Sequence, residues 1–173
     1  MPPVIRVGME GDLERLASIV ARRLSSSSQR IAIAESCTGG LLCSSLTDIS
    51  GASKWFERGW VVYSNEAKIE SLGVPIELIE VHGAVSVEVA EAMVLGVMQT
   101  VDVDWAVAIS GIAGPKNDDG MKAVGTVCIA VANRKRSVTR QREFSGDRSS
   151  NKRFFTCMAL EMILETWEEP EEE

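Results

Sequence analysis

The chain has 173 residues, of which 45% are hydrophobic and 25% charged, an ordinary globular composition that excludes collagen-like, mucin-like and broadly disordered proteins. The formal net charge is −7, but five of the last six residues are glutamates, and the rest of the chain carries only −2. Such a chain offers no basic excess to hold a phosphate backbone, so we expect no nucleic acid as a direct ligand.

The four cysteines and the single histidine argue against a metal site. No two cysteines form a Cys-x-x-Cys pair, whereas a zinc site needs four close soft ligands. The sequence also has no signal-peptide core and no run of about 18 apolar residues. We therefore expect a cytoplasmic protein with free thiols, no metal and no membrane span.

Apolar periodicity predicts helices that alternate with short strands buried on both faces. Serines 25 to 28 mark the fading end of the first helix, and residues 73–75 stop a later one. In chain order we predict a helix over 12–28, a strand over 31–34, a helix from Gly39-Gly40 through Leu46, a strand over 60–62, a helix over 65–72, a helix capped by Ser86, a strand over 106–109, a hairpin of strands over 126–132 and 138–144, and a last helix capped by Asp147.

This order of elements predicts the α/β class: a three-layer α/β/α sandwich on a mixed, mostly parallel sheet with one antiparallel hairpin. We find no internal repeat and no interior linker, so residues 1–167 are predicted to form a single domain. The glutamates of 168–173 repel one another and remain hydrated, which predicts an acidic disordered tail.

Two segments follow an apolar strand with a small polar turn that contains glycine. They are Glu35 to Gly40 and Ile109 to Gly114. Both turns fall at carboxyl ends of strands, where ligands bind in open α/β sheets. Glycines allow a ligand to approach the backbone closely, although tight strand-to-helix turns have the same pattern without a ligand.

Ser36 is the sharpest candidate nucleophile, because a serine on a strand-to-helix turn presents its hydroxyl at the surface. A lysine can activate such a serine when burial or a positive field lowers the pKa of its ammonium. Lys68 lies in the first turn of a predicted helix, where the positive end of the helix dipole lowers the pKa of its ammonium, so it fits this role. A nearby Glu66 would raise that pKa. The alternative for Lys68 is an ordinary solvated lysine.

Other chemistry-bearing residues have competing interpretations. Cys37 could be a thiolate nucleophile paired with His82, but a small buried packing residue is the commoner role of such a cysteine. His82 itself is predicted to be a loop histidine. Arg148, Lys152 and Arg153 cluster at the start of the last helix and could clamp a phosphate or form surface salt bridges.

Six motifs in order resemble the CinA carboxy-terminal domain, the nicotinamide-nucleotide amidohydrolase family, and the resemblance covers about residues 12 to 167. The motifs are Ala34-Glu35-Ser36-Cys37-Thr38-Gly39-Gly40, Val62-Tyr63-Ser64-Asn65-Glu66-Ala67-Lys68, Gly83-Ala84-Val85-Ser86, Ser110-Gly111-Ile112-Ala113-Gly114-Pro115, Val124-Gly125-Thr126-Val127 and Phe144-Ser145-Gly146-Asp147-Arg148.

The resemblance implies a homodimeric cytoplasmic enzyme that needs neither metal nor cofactor. It would hydrolyse the carboxamide of nicotinamide mononucleotide to nicotinate mononucleotide and ammonia, in pyridine nucleotide recycling. By the same resemblance, Ser36 is the nucleophile, Lys68 its general base and Tyr63 an assisting residue. Ser110 would line the substrate site, and Arg148 or Arg153 would hold the 5′-phosphate.

Backbone N–H groups near Thr38, Gly39 and Gly40, or near Gly111, are expected to stabilise the oxyanion. Three alternatives stay open. The chain could be a non-catalytic nucleotide-binding or regulatory module related to competence and DNA damage. It could also be an amidase for another small carboxamide, or a cysteine hydrolase that uses Cys37.

Overall fold

The computed structural model describes residues 12–117 and 120–168. The predicted acidic tail lies outside these residues, except that Glu168 is the last residue of the final helix. In chain order the elements are α1 (Asp12–Ser27), β1 (Ile31–Glu35), α2 (Leu41–Thr47), a 3₁₀ turn (Ala52–Lys54), β2 (Phe56–Val61), α3 (Asn65–Leu72), α4 (Ile76–His82), α5 (Val87–Thr100), β3 (Trp105–Gly111), β4 (Thr126–Asn133), β5 (Ser137–Glu143) and α6 (Arg148–Glu168).

The five strands form one sheet in the order β2-β1-β3-β4-β5. Strands β2, β1 and β3 are parallel, whereas β4 pairs antiparallel with both β3 and β5. The predicted mixed, mostly parallel sheet is therefore confirmed. Because the chain leaves β1 to one side for β2 and returns on the other side for β3, a crevice opens at the carboxyl ends of β1 and β3.

Alternating side-chain size along the strands builds two different apolar layers. Ile31 and Ile33 face the layer formed by α1, α2 and α6, while Ala32 and Ala34 face the layer formed by α3, α4 and α5. Strand β3 repeats the pattern with valine and isoleucine on one face and alanine on the other. The small side chains allow α5 to pack close to the sheet.

Two sequence predictions about elements are wrong. His82 is predicted to be a loop histidine, but it is the last residue of α4, a helix for which the sequence predicted no element. This helix has no fully buried residue and no side-chain cap at its N-terminus, so it lacks both of the signals that mark a helix in the sequence. Strand β2 begins at Phe56 rather than at Trp60 and ends before Val62, because it is a sheet-edge strand with exposed polar residues. Among the described residues, no helix is long and apolar enough to cross a membrane.

Candidate functional site

The carboxyl ends of β1 and β2 bring Ser36 and Lys68 together. The two strands pair in parallel up to Glu35 and Val61, and the N–H of Val62 donates to the Glu35 carbonyl at 2.8 Å. The chain after β2 then enters α3, whose N-terminal cap is the Ser64 hydroxyl. Lys68 is the fourth residue of this helix, and its Nζ lies 3.2 Å from Ser36 Oγ.

Lys68 is a buried amine surrounded by oxygen atoms. Its residue is only 1% exposed, and Nζ donates to the carbonyls of Val62 and Tyr63 at 3.0 and 3.1 Å. Burial is the main cause that lowers the pKa of Lys68 to about 8, and the charge of Glu66 opposes this shift. The sequence left open whether burial or the positive end of the helix would lower the pKa of Lys68. In the structure burial is the principal cause.

The Lys68–Ser36 contact serves either direction of proton transfer. In the protonated form Nζ donates to Oγ, and in the neutral form the hydroxyl can donate to the nitrogen lone pair across the same distance. Ser36 is 7% exposed, so the residue is buried but not fully enclosed. The pair has the geometry of a nucleophile and its general base.

The turn after Ser36 supplies N–H groups near the hydroxyl. The N–H of Gly39 donates to the Ser36 carbonyl and that of Leu41 donates to the Thr38 carbonyl. The N–H groups of Thr38 and Gly40 have no acceptor among the described residues, and the buried Thr38 hydroxyl also has none there. These groups are available to an oxyanion or to another polar group of a ligand.

A buried carboxylate fixes this turn, and the sequence analysis did not assign it a role. Glu35 is fully buried, and its two oxygens accept from the N–H groups of Leu42 and Cys43, each at 3.0 Å. The carboxylate therefore holds the first turn of α2 against the end of β1. The sequence feature that could have indicated this role is a single glutamate at the end of an otherwise apolar strand.

Cys37 is not suited to act as a thiolate. Burial, assisted by the charge of Glu35, raises the pKa of its thiol to about 12. The candidate partner His82 instead lies with Nδ1 3.6 Å from Glu88. Among the described residues, no three His, Cys, Asp or Glu side chains converge in a way that could hold a metal ion.

Arg148, the first residue of α6, joins two loops at the site. Its guanidinium donates to the Gly114 carbonyl at 2.6 Å and to the Tyr63 hydroxyl at 3.1 Å. Tyr63 is 58% exposed, its backbone carbonyl accepts from Lys68, and its phenol oxygen accepts from Arg148. Buried Asn151 donates to the carbonyls of Ala113 and Gly146, which ties the loop after β3 to the loop before α6.

The remaining predicted site residues take different positions. Ser110 is buried and donates to the Ala84 carbonyl at 2.7 Å, which ties the end of β3 to the loop before α5. Gly111 lies where a Cβ would come within 3.1 Å of Cys37 Sγ. Arg153 is directed toward α1, where it donates to Glu14 at 3.4 Å, so the structure does not bring it to Ser36. Lys152 instead reaches Gly39.

A model of the CinA C-terminal domain matches residues 13–167. The chain belongs to the CinA C-terminal domain family. Among its relatives in this family, the nicotinamide-nucleotide amidohydrolase PncC of Escherichia coli K12 is 44% identical over 155 residues, which cover 89% of this chain and 94% of PncC. A CinA-like protein of Chlorobium chlorochromatii is 46% identical over 162 residues, 91% of this chain and 38% of that protein.

Solved structures of CinA-superfamily proteins share this fold. A crystal structure from Escherichia coli superposes with a TM-score of 0.87 at 31% identity and covers 95% of each chain. The competence/damage-inducible protein CihA from Agrobacterium tumefaciens gives a TM-score of 0.86 at 35% identity, with 91% of this chain and 97% of that chain covered. The sequence resemblance to the CinA family is thereby confirmed.

Proposed function

We propose that this chain is an amidohydrolase that converts nicotinamide mononucleotide to nicotinate mononucleotide and ammonia with a Ser36–Lys68 dyad. The observation that carries the proposal is the 3.2 Å contact between a buried lysine of lowered pKa and a serine hydroxyl. The name of the PncC relative, identical at 44% of aligned positions, supports a nicotinamide nucleotide as the substrate.

The dyad carries out two acyl transfers. Neutral Lys68 takes the hydroxyl proton as Ser36 Oγ attacks the carboxamide carbon, and the carbonyl oxygen becomes an oxyanion. The N–H groups of Thr38 and Gly40 have no acceptor among the described residues, and we assign them to this oxyanion.

The tetrahedral intermediate then collapses. The C–N bond breaks, Lys68 returns its proton to the leaving nitrogen, and ammonia departs from a nicotinoyl ester on Ser36. Lys68, again neutral, takes a proton from water as the water attacks the ester. The C–Oγ bond breaks, Oγ regains a proton and the carboxylate product leaves.

Arg148 is our candidate for the phosphate end of the substrate among the predicted arginines. Two of its five N–H donors bind Gly114 and Tyr63, so three are left to an anion. Tyr63 positions the Arg148 guanidinium through its hydroxyl, and Ser110 and Gly111 form the wall beside Ser36. Arg153 is left out, because its contact is with Glu14.

Ammonia release from nicotinamide mononucleotide tests the proposal. Ser36→Ala removes the nucleophile and should reduce kcat about 10³-fold or more, while Lys68→Ala should reduce it by about 10²- to 10⁴-fold. Circular dichroism would establish that both variants remain folded. Cys37→Ser is the matched control in the neighbouring position, and it should retain turnover because the Cys37 thiol stays protonated.

Near-wild-type turnover in Ser36→Ala or Lys68→Ala would contradict the dyad. Loss of activity only in Cys37→Ser would instead indicate a thiol mechanism. Binding of the mononucleotide without ammonia release by the wild type would favour the regulatory module. We further propose a cytoplasmic homodimer, as the family resemblance implies, and sedimentation measures its mass.

A further inference from the structure

Two cationic side chains of α6 lie on the helix face that meets the turn after Ser36. Arg148 and Lys152 are four positions apart, so they are neighbours on one side of the helix. Arg148 reaches across to Tyr63. Lys152 Nζ lies 3.7 Å from the point that a Cβ on Gly39 would occupy, which places the ammonium against the turn formed by residues 37–40.

Within the part of the chain that the structure describes, the Lys152 ammonium has no partner of opposite charge. Among the described residues it forms neither an ion pair nor a side-chain hydrogen bond, whereas Arg153 donates to Glu14. The buried carboxylate of Glu35 accepts from the N–H groups of α2. An unpaired ammonium beside a second cation favours an anion in the space between them.

The absence of a side chain at Gly39 gives Lys152 access to this turn. The backbone there has φ of +61°, a conformation that favours glycine, and a Cβ would be in van der Waals contact with Nζ. Any longer side chain would therefore compete with the ammonium for its position. The charge is thus placed on the same turn that carries Ser36 and the free N–H groups.

We propose that Lys152 is the specificity-determining residue that makes the site prefer a nucleoside monophosphate over the corresponding nucleoside. This inference rests on the proposed amidohydrolase function. Lys152 would donate to the substrate phosphate, while Arg148 keeps two of its donors on the protein. Since Lys152 does not contact the Ser36–Lys68 pair, its contribution is to substrate binding and not to the chemical step.

Kinetics with two substrates test the assignment. Lys152→Met keeps the aliphatic stem and removes the charge, so kcat/KM for nicotinamide mononucleotide should fall about 10- to 100-fold, chiefly through KM. The value for nicotinamide riboside, which lacks the phosphate, should stay within about twofold. Lys152→Arg should recover most of the mononucleotide activity. Arg153→Met removes a charge one position further along α6 and is the matched control. It should leave kcat/KM unchanged for both substrates.

Several outcomes would overturn the assignment. They are an unchanged KM for the mononucleotide in Lys152→Met, an equal loss for both substrates, or the same loss in Arg153→Met. If the wild type hydrolyses neither substrate, the proposed function fails, and calorimetric binding of nicotinate mononucleotide decides the role of Lys152. Weaker binding in Lys152→Met alone would support it, and equal binding in all variants would refute it.

Discussion

The rate of amide hydrolysis should rise with pH as Lys68 loses its proton. With a pKa of about 8 for Lys68, the neutral amine makes up about a tenth of the enzyme at pH 7 and about nine-tenths at pH 9. Only the neutral amine can accept the Ser36 proton. We therefore expect kcat/KM for nicotinamide mononucleotide to increase about tenfold over this interval, with a midpoint near pH 8.

A charge change beside Lys68 should move that midpoint. Glu66 raises the pKa of Lys68, so Glu66→Gln should shift the profile toward lower pH and increase kcat/KM at pH 7. Glu70→Gln removes the same charge from an exposed position of α3 and is the matched control, expected to leave the midpoint in place. Ammonia release at constant ionic strength measures both profiles.

A profile that is flat or falling between pH 7 and 9 would refute neutral Lys68 as the base. So would an upward shift of the midpoint in Glu66→Gln, since removal of a neighbouring negative charge destabilises an ammonium. Lys68→Arg adds a separate control, because a guanidinium does not lose its proton in this range and should be inactive at every pH tested.

Three further predictions concern the framework. Glu35→Gln leaves one N–H of α2 without its charged acceptor, and the free energy of unfolding in urea should fall by about 2 kcal/mol, with a lower kcat. Gly96→Ala would place a Cβ 2.1 Å from the Leu72 carbonyl, so α5 and α3 must separate, and the same measurement should show a loss of about 1–3 kcal/mol. Burial and the charge of Glu165 raise the pKa of Glu161 to about 7, so the stability it contributes is complete below about pH 4.5 and is lost as pH rises through 7. Glu161→Gln should therefore raise Tm by about 1–3 °C at pH 8 and have little effect at pH 4.5, as scanning calorimetry can show.

The sequence was sufficient for the main layers because their signals are local. Apolar strands, the helix cap at Ser86 and the polar hairpin turn each lie within a few residues of the element they define. Parallel pairing then places strand ends at one edge, so Ser36 and the chain leading to Lys68 could be expected to meet. Helix α4 was not predicted because it has no fully buried residue and no side-chain cap to mark it.

The burial of a side chain, and the direction in which it leaves its helix, could not be predicted from such local signals. The residues next to Lys68 do not show that it is 1% exposed, because the contact with Ser36 joins positions 32 residues apart in the sequence. Likewise, Arg153 and Lys152 are adjacent in sequence, yet about 100° of helix rotation sends one to α1 and the other to Gly39. Distinguishing them required the position of α6 against the sheet.

Acid-quenched mass spectrometry of the enzyme during its first turnovers tests the dyad most directly. With nicotinamide mononucleotide, we predict an acyl adduct on the peptide that contains Ser36, and neither an adduct nor ammonia release with Ser36→Ala. An adduct on Cys37 or any other residue, an unmodified Ser36 peptide while ammonia is released, or continued turnover by Ser36→Ala would contradict the account.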